Sequence, residues 1–339
     1  MTQYVLPATA FVAGALAMPL YNRVANRYGI IAKMNARTLH ERIVPRGGGS
    51  VFAMVFCLGL LAWWLLGGIS TGVLLAFALG GGAAATIGFV DDVHELRAGR
   101  KLLLHVMLSL WLLAALWKPV YAGALDGLPL VVRVMVIAAL LWVPVWLINL
   151  YNFIDGIDGL AVSAGVLISS TALAVLVVTG GSREFILVAA LLAACALSFL
   201  FWNLPPAHVF MGDAGSIFLG YSFAALILAT VVSGQITPWT WIATMGYYVA
   251  DTTTTTLCRM VLVERWYGGH RSHAYQNLAR IHRSHGRVTY GIAAYQLLWA
   301  IPLAFWSALQ PRWGILAAAL AVVPAVLWTL RYGPPLSSD

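Results

Sequence analysis

Charge is what this sequence has least of. Only 9% of its 339 residues are Asp, Glu, Lys or Arg, whereas 61% are hydrophobic. Soluble domains carry roughly 25% charged residues, so a water-soluble globular fold is excluded. Cysteine is nearly absent too. Cys57, Cys195 and Cys258 each lie inside an apolar run, at no spacing that suits a disulfide or a metal, and read as packing residues. Short segments alternating with period two, the mark of a membrane barrel, are missing; the apolar runs are long and continuous. No basic residue stands in the opening Met-Thr-Gln-Tyr, so the first apolar stretch reads as a retained span and not as a cleaved leader. There is no strong repeat and no low-complexity tract, although Thr252 to Thr256 form a polar run inside an apolar segment. What remains is one all-α polytopic bundle occupying residues 1–339 as a single domain.

Hydropathy places about eleven spans (10–11), near 4–22, 51–69, 71–90, 102–117, 130–149, 159–179, 185–202, 214–233, 238–260, 289–308 and 313–331. Two of them, 102–117 and 185–202, are short for a crossing. Parity then divides the loops. With the N-terminus outside, 14 of the 20 Lys and Arg residues fall on inner segments, while Lys118, Arg133, Arg183 and Arg312 fall outside. The positive-inside rule therefore predicts an N-terminus outside and a C-terminus on the cytoplasmic side. The net charge of +8 follows from this topology and from anionic ligands, and it needs no nucleic acid. Eight of the 12 acids share the inner side: Glu41, Asp91, Asp92, Glu95, Asp155, Asp158, Asp213 and Glu264. Acids contribute little to the positive-inside rule, so their clustering points to a site.

Several stretches supply that site. Gly88-Phe-Val-Asp-Asp92 ends the third span, and its adjacent carboxylates call for a cation or for solvent. Lys101 follows and suits phosphate. In Asn149-Leu-Tyr-Asn-Phe-Ile-Asp-Gly-Ile-Asp-Gly-Leu160, the residues Asn149, Asn152, Asp155 and Asp158 recur every three positions beside glycines that let a ligand approach. Asp213, in Phe210-Met-Gly-Asp-Ala-Gly-Ser216, opens an apolar helix and suits a helix cap, a metal ligand or both. Arg37, His40 and Arg46 accompany the glycine run Gly47–Gly49 in the first inner loop, where they suit phosphate or lipid headgroups. The tract from Gly268 to Arg287 holds four of the eight histidines, but arginines crowd them and no cysteine joins them. It reads as an anion-binding loop and not as a zinc site. Asp251 lies deep in the ninth span, where an acid is functional by default or is satisfied by a helix partner. Together these are acids for a hard cation, bases for phosphates and glycines for close approach, which is the equipment of phosphoryl transfer at a membrane edge.

These motifs, together with Arg271-Ser-His273, resemble the polyprenyl-phosphate N-acetylhexosamine-1-phosphate transferases, and the likeness covers residues from about 35 to 290 in motif order. That superfamily includes phospho-MurNAc-pentapeptide translocase and the enzymes that start O-antigen or teichoic-acid chains. The resemblance implies a UDP-N-acetylhexosamine donor, undecaprenyl phosphate as acceptor, Mg²⁺ or Mn²⁺ as cofactor, UMP as by-product and a cytoplasm-facing site in the lipid bilayer. It also allows a homodimer, and it implies the first step of a cell-envelope polysaccharide. By motif position, Asp213 is the principal Mg²⁺ ligand, joined by Asn152 and Asp91. Asp91 and Asp92 form a catalytic pair, and Asn152 and Asp155 line the metal–diphosphate site. Asp158 lies nearer the uridine, Lys101 meets phosphate, and Arg271 and His273 meet the donor.

The reaction exchanges one phosphoanhydride for another and is close to balanced. A lipid phosphate with a second pKa of about 6 is already deprotonated at neutral pH, so Asp91 reads as a positioning group more than as a strong base. A one-step and a covalent aspartyl-phosphate route both stay open. One departure stands out: the family often ends its sugar-side motif His-x-His-His, and this chain reads His273-Ala-Tyr-Gln276. That favours the O-antigen-initiating branch with deoxy donors. A CDP-alcohol phosphotransferase is disfavoured because Asp158-Gly-Leu-Ala-Val162 lacks the required motif. A transporter or flippase would place its charges near the midplane, where only Asp251 lies.

Overall fold

The structure, a computed structural model, describes residues 2–31, 44–116, 125–262 and 271–334. Arg37 and His40 lie outside the described residues. Within them the chain is helical, with one isolated bridge between Ile31 and Pro45. The helices are α1 (Thr2–Tyr28), α2 (Gly49–Leu65), α3 (Thr71–His94), α4 (Ala98–Leu116), α5 (Leu130–Ile154) and α6 (Leu160–Thr179). They continue with α7 (Arg183–Asn203), α8 (Gly212–Val232), α9 (Pro238–Leu262), α10 (Ala274–His282), α11 (His285–Leu309) and α12 (Pro311–Tyr332).

Each expected span falls on one of these helices. Among the described residues nine are long and apolar enough to cross a bilayer: α1, α3 to α8, α11 and α12. Of the other two, α2 is apolar but only 17 residues long, and α9 is long but carries Asp251 and the threonine run. The two spans expected to be short gain length from their polar ends. Lys101 and Arg183 lie inside the first turns of α4 and α7, which extend to 19 and 21 residues. One element differs from the sequence reading. The loop expected over 261–288 contains α10, a nine-residue helix that buries Tyr275, Asn277 and Leu278.

The centre of the bundle is α8, with 83% of its most apolar window buried. Small residues at its start, Gly212, Ala214, Gly215 and Ser216, let its neighbours come close, which is how helices associate where lipid offers no hydrophobic drive. Phe218 meets the ring edges of Phe52 and Phe56 from α2 at 5.7 and 5.4 Å. Phe223 stacks on Tyr151 of α5 at 5.3 Å, and the Tyr221 hydroxyl donates to the Ala76 carbonyl of α3 at 2.8 Å. A second group forms from α9, α11 and α12. Gln296 donates to the Thr244 carbonyl at 2.8 Å, and Tyr295 donates to the Ala321 carbonyl at 2.5 Å. Helix α10 is tied to the end of α12, since the Asn277 amide donates to the carbonyls of Tyr332 and Gly333.

Candidate functional site

Five chain segments converge on Asp213: the stretch before α2, the end of α3, the start of α4, the end of α5 and the start of α8. Its Oδ1 accepts from Arg46 Nη2 at 3.1 Å and from Asn152 Nδ2 at 3.1 Å. Its Oδ2 accepts from Lys101 Nζ at 3.2 Å. The Lys101 ammonium also pairs with Asp91 Oδ2, so one cation bridges two carboxylates. Asp91 Oδ1 takes the Leu96 N–H at 2.7 Å, which closes the end of α3. Asn152 donates further to Ser216 Oγ at 3.2 Å, fixing α5 against α8.

Asp213 stands in the first turn of α8, yet it does not cap that helix. The cap comes from Asp92, whose oxygens accept the backbone N–H groups of Asp213 at 2.9 Å and Ala214 at 3.1 Å. Arg46 Nε adds a third contact to Asp92 at 2.8 Å, and the Asp92 side chain has no exposed surface. A helix leaves its first N–H groups without internal partners, and a carboxylate beside them is doubly favoured by hydrogen bonding and by the helix dipole. Gly88 makes this approach feasible. A Cβ there would stand 2.1 Å from the Asp213 carbonyl oxygen and 2.6 Å from the Ala214 Cα.

Arg46 reaches the cluster because its own stretch is laced to the residues that precede α8. The N–H groups of Gly48 and Gly49 donate to the carbonyls of Phe210 and Met211, and the Phe210 N–H donates to Pro45. The Tyr21 hydroxyl holds the Arg46 carbonyl at 2.5 Å. Two motifs 160 residues apart thus form one surface. Burial acts against the Arg46 charge, but the carboxylates of Asp92 and Asp213 outweigh it and hold its pKa above the ordinary value. Asp155, in the turn after α5, is shifted the other way. Burial and then the negative charge of Asp213 push its carboxyl well above the usual range. The cluster gathers Asp91, Asp92, Asp155 and Asp213 around Arg46 and Lys101, an excess of carboxylates over cations.

The remaining motif residues serve adjoining duties. Asn149 donates to the Val145 carbonyl and meets His105 of α4, away from Asp213. Asp158 accepts the Ala207 N–H at 3.1 Å and lies 3.4 Å from His285 Nδ1, tying the α5–α6 turn to the loop before α8 and to α11. His273 precedes α10, with its ring 5.6 Å from that of Phe153 and its Nδ1 3.5 Å from Asp251 Oδ2. Asp251, fully buried, accepts the Ala274 N–H at 2.9 Å and so caps α10 from another helix, as Asp92 caps α8. Arg271 adjoins this group in sequence. Tyr275 and Gln276, at the departure from the family pattern, face the α5–α6 turn: the Tyr275 hydroxyl donates to the Phe153 carbonyl at 2.5 Å. Burial, and then the Asp251 charge, raise the Tyr275 pKa well above its ordinary value, so it stays a donor. A Cβ at Gly156 would meet that hydroxyl at 2.3 Å and Gln276 Nε2 at 2.8 Å.

Sequence reasoning missed Ser216, the pairing of Arg46 with Asp92 and the pairing of Asp251 with His273. The available signal was that each is a polar residue in an otherwise apolar or glycine-rich setting. Among the described residues no group of three or more His, Cys, Asp or Glu is arranged to hold a metal by itself. The chemistry of the donor set nevertheless fits Mg²⁺, which takes one or two carboxylates and leaves its other positions to water and substrate phosphate. Lys101 Nζ bridges Asp91 Oδ2 and Asp213 Oδ2, and Asp213, Asp91 and Asn152 are the residues that would hold such an ion.

This fold and site define a polytopic membrane protein with acids and cations gathered at the ends of its helices. The chain belongs to glycosyl transferase family 4, the superfamily of polyprenyl-phosphate N-acetylhexosamine-1-phosphate transferases; the sequence model of that family matches residues 74–231. It is 31% identical over 239 residues to the phospho-N-acetylmuramoyl-pentapeptide-transferase of Streptococcus mutans, covering 64% of this chain and 69% of that protein. It is 29% identical over 296 residues to a probable undecaprenyl-phosphate N-acetylglucosaminyl 1-phosphate transferase of Bacillus subtilis, covering 81% of this chain and 78% of the relative. A decaprenyl-phosphate N-acetylglucosaminephosphotransferase of Mycolicibacterium smegmatis is 30% identical over 232 residues, which is 63% of this chain and 56% of that protein.

Proposed function

We propose that this protein transfers N-acetylhexosamine 1-phosphate from a UDP-sugar to undecaprenyl phosphate, releasing UMP at the cytoplasmic face of the inner membrane and starting a cell-envelope polysaccharide. The observation that carries the reading is the convergence of Arg46, Lys101 and Asn152 on Asp213, beside Asp91, at the ends of helices that cross the membrane. An oxygen of the lipid phosphate attacks the sugar-bearing phosphorus of the donor. The new P–O bond forms as the bond to the bridging oxygen breaks, and UMP departs with that oxygen.

Lys101 and Arg46 supply positive charge to the diphosphate, and such charge in a site shielded from water is worth far more than in solution. Asn152 and Asp92 keep Asp213 in place. Asp91 positions Lys101 and the lipid phosphate. Mg²⁺ or Mn²⁺ held by Asp213, Asp91 and Asn152 would supply Lewis-acid stabilisation of the diphosphate oxygens.

For the donor, the reading is a deoxy N-acetylhexosamine, as in O-antigen initiation. The Tyr275 hydroxyl is committed to the Phe153 carbonyl and the Gln276 side-chain oxygen to the His273 N–H, so this tract offers the sugar fewer polar groups than a row of histidines would.

The test is UMP release by the detergent-purified protein with undecaprenyl phosphate and a panel of UDP-N-acetylhexosamines, with and without chelator. Turnover with at least one donor, dependent on Mg²⁺ or Mn²⁺ and abolished in Asp213→Asn, is expected. The divalent ion should also raise the melting temperature of the wild type and leave that of Asp213→Asn unmoved. Absence of UMP with every donor would sink the transferase reading. A preference for UDP-GlcNAc over its deoxy analogues would sink only the donor assignment.

A further inference from the structure

Away from the carboxylates, a cavity of about 500 Å³ opens among α9, α10, α11 and α12, and among the described residues none that line it belongs to the Asp213 cluster. Ligand pockets run roughly 300–1,000 Å³, so the space is large enough to be a site. Its walls are mainly apolar and aromatic, with Tyr247, Tyr295 and Trp328 among them, and its ionisable ends are His282 and Arg287. No acidic residue lines it among the described residues.

The polar and apolar parts are sorted by depth. His282 closes α10 and Arg287 stands in the first turn of α11, both at the exposed rim. Tyr295 is eight residues further along α11, about 12 Å deeper at 1.5 Å per residue. Helix α12 ends at the same rim, because Asn277 of α10 holds the carbonyls of Tyr332 and Gly333. Trp328 is therefore about one turn into the membrane layer. A basic mouth over an apolar shaft is the shape of an amphiphile.

Tyr247 closes the inner wall: it is 4% exposed, and its hydroxyl is sealed from the cavity.

We propose that the cavity binds an anionic glycerophospholipid, with one acyl chain in the apolar shaft and the phosphate at Arg287 and His282. Basic pockets between membrane helices recognise anionic headgroups in this way. The polyprenyl phosphate acceptor is not the occupant the geometry selects. It carries one phosphate, which the reaction needs beside the Asp213 cluster, whereas Arg287 and His282 call for another. Helix α10 carries His273 at its start and His282 at its end, so the bound lipid braces the helix that presents His273.

The experiment titrates the full-length, delipidated protein in detergent with phosphatidylglycerol, phosphatidylcholine or undecaprenyl phosphate, and counts bound lipid by native mass spectrometry. Phosphatidylglycerol should bind roughly tenfold more tightly than phosphatidylcholine, and Arg287→Gln should remove that preference. Gly291→Phe should abolish tight binding while the melting temperature holds or rises. A side chain added at Gly291 meets nothing within 4 Å, and phenylalanine suits a helix better than glycine. Equal affinity for the two phospholipids would overturn the proposal, as would undiminished phosphatidylglycerol binding by a stable Gly291→Phe protein. Displacement of phosphatidylglycerol by equimolar undecaprenyl phosphate would hand the cavity to the acceptor and overturn it too. These are binding readouts, and they stand or fall apart from UMP release.

Discussion

Asp92→Asn keeps the shape of the side chain that caps α8 and removes its charge. The carboxylate accepts the Asp213 and Ala214 N–H groups and Arg46 Nε, all within 3.1 Å. Asparagine has one oxygen for these donors and turns an NH₂ group toward another. Losing a cap costs about 1 kcal/mol, and losing a charge-assisted hydrogen bond costs about 1.5 kcal/mol, the lower end of the range because Arg46 is partly exposed. With a few tenths for the helix dipole, the total is about 3 kcal/mol. At roughly 2 °C per kcal/mol for a chain of this size, the melting temperature should fall by about 6 °C. The damage also reaches the chemistry, since a displacement of about 1 Å at a reacting group can cost roughly 100-fold in turnover. Scanning fluorimetry in detergent at a fixed scan rate, paired with UMP release, reads both effects. Asp213→Asn is the contrast. It should lose turnover while melting within about 2 °C of the wild type, because it relieves a site with more carboxylates than cations. If Asp92→Asn lost turnover with no change in melting, Asp92 would act on the substrate directly and the capping argument would be refuted.

Two further substitutions probe the supports. Gly88→Ala drives a methyl group into the α8 backbone at 2.1 Å from the Asp213 carbonyl oxygen, where no side chain can rotate away. It should destabilise by about 1–3 kcal/mol and cut UMP release. Gly82→Ala, whose Cβ meets only Cys57 Sγ at 3.7 Å, should change neither, and equal effects from the two would refute the close-approach reading. Asp251→Asn retains an oxygen for the Ala274 N–H but loses the anionic partner of His273. Steady-state kinetics should show KM for the UDP-sugar rising severalfold with a smaller change in kcat. A fall confined to kcat would detach His273 from donor binding.

The helices were legible because a bilayer leaves the backbone few options, and each long apolar run had to be a helix. The grouping of Asp91, Asp92, Asn152, Asp155 and Asp213 on one side followed from parity. Who holds whom was not legible. Asp92 and Asp213 look alike in sequence, as acids beside glycine-bearing motifs, and only tertiary contact separates the capping acid from the one that faces the ligand site. Asp158 shared the three-residue register of Asn152 and Asp155, but the helix ends at Ile154 and the turn carries Asp158 to Ala207 and His285. Helix α10 was invisible because its nine residues are few and lie within a longer tract rich in His and Arg, which reads as loop. Its helical state depends on burial of Tyr275 and Leu278 and on a cap, Asp251, donated from 23 residues upstream.

The placement of charge on helix ends explains how the site is poised. Asp91 and Asp92 lie in the last turn of α3, where the helix dipole disfavours acids, and Lys101 lies in the first turn of α4, where it disfavours cations. Each is stabilised by a neighbouring element and not by its own. Asp92 is held by the N-terminus of α8 and Arg46, and so is fixed. Asp91 and Lys101 are held largely by each other and by Asp213. On the proposed transferase reading, Lys101 is the group that would exchange partners, since a donor diphosphate offers it more negative charge than two carboxylates already shared with other donors. Turning to phosphate would release together the oxygens of Asp91 and Asp213 that Lys101 bridges. On that reading, the exchange would leave both carboxylates open to a divalent cation.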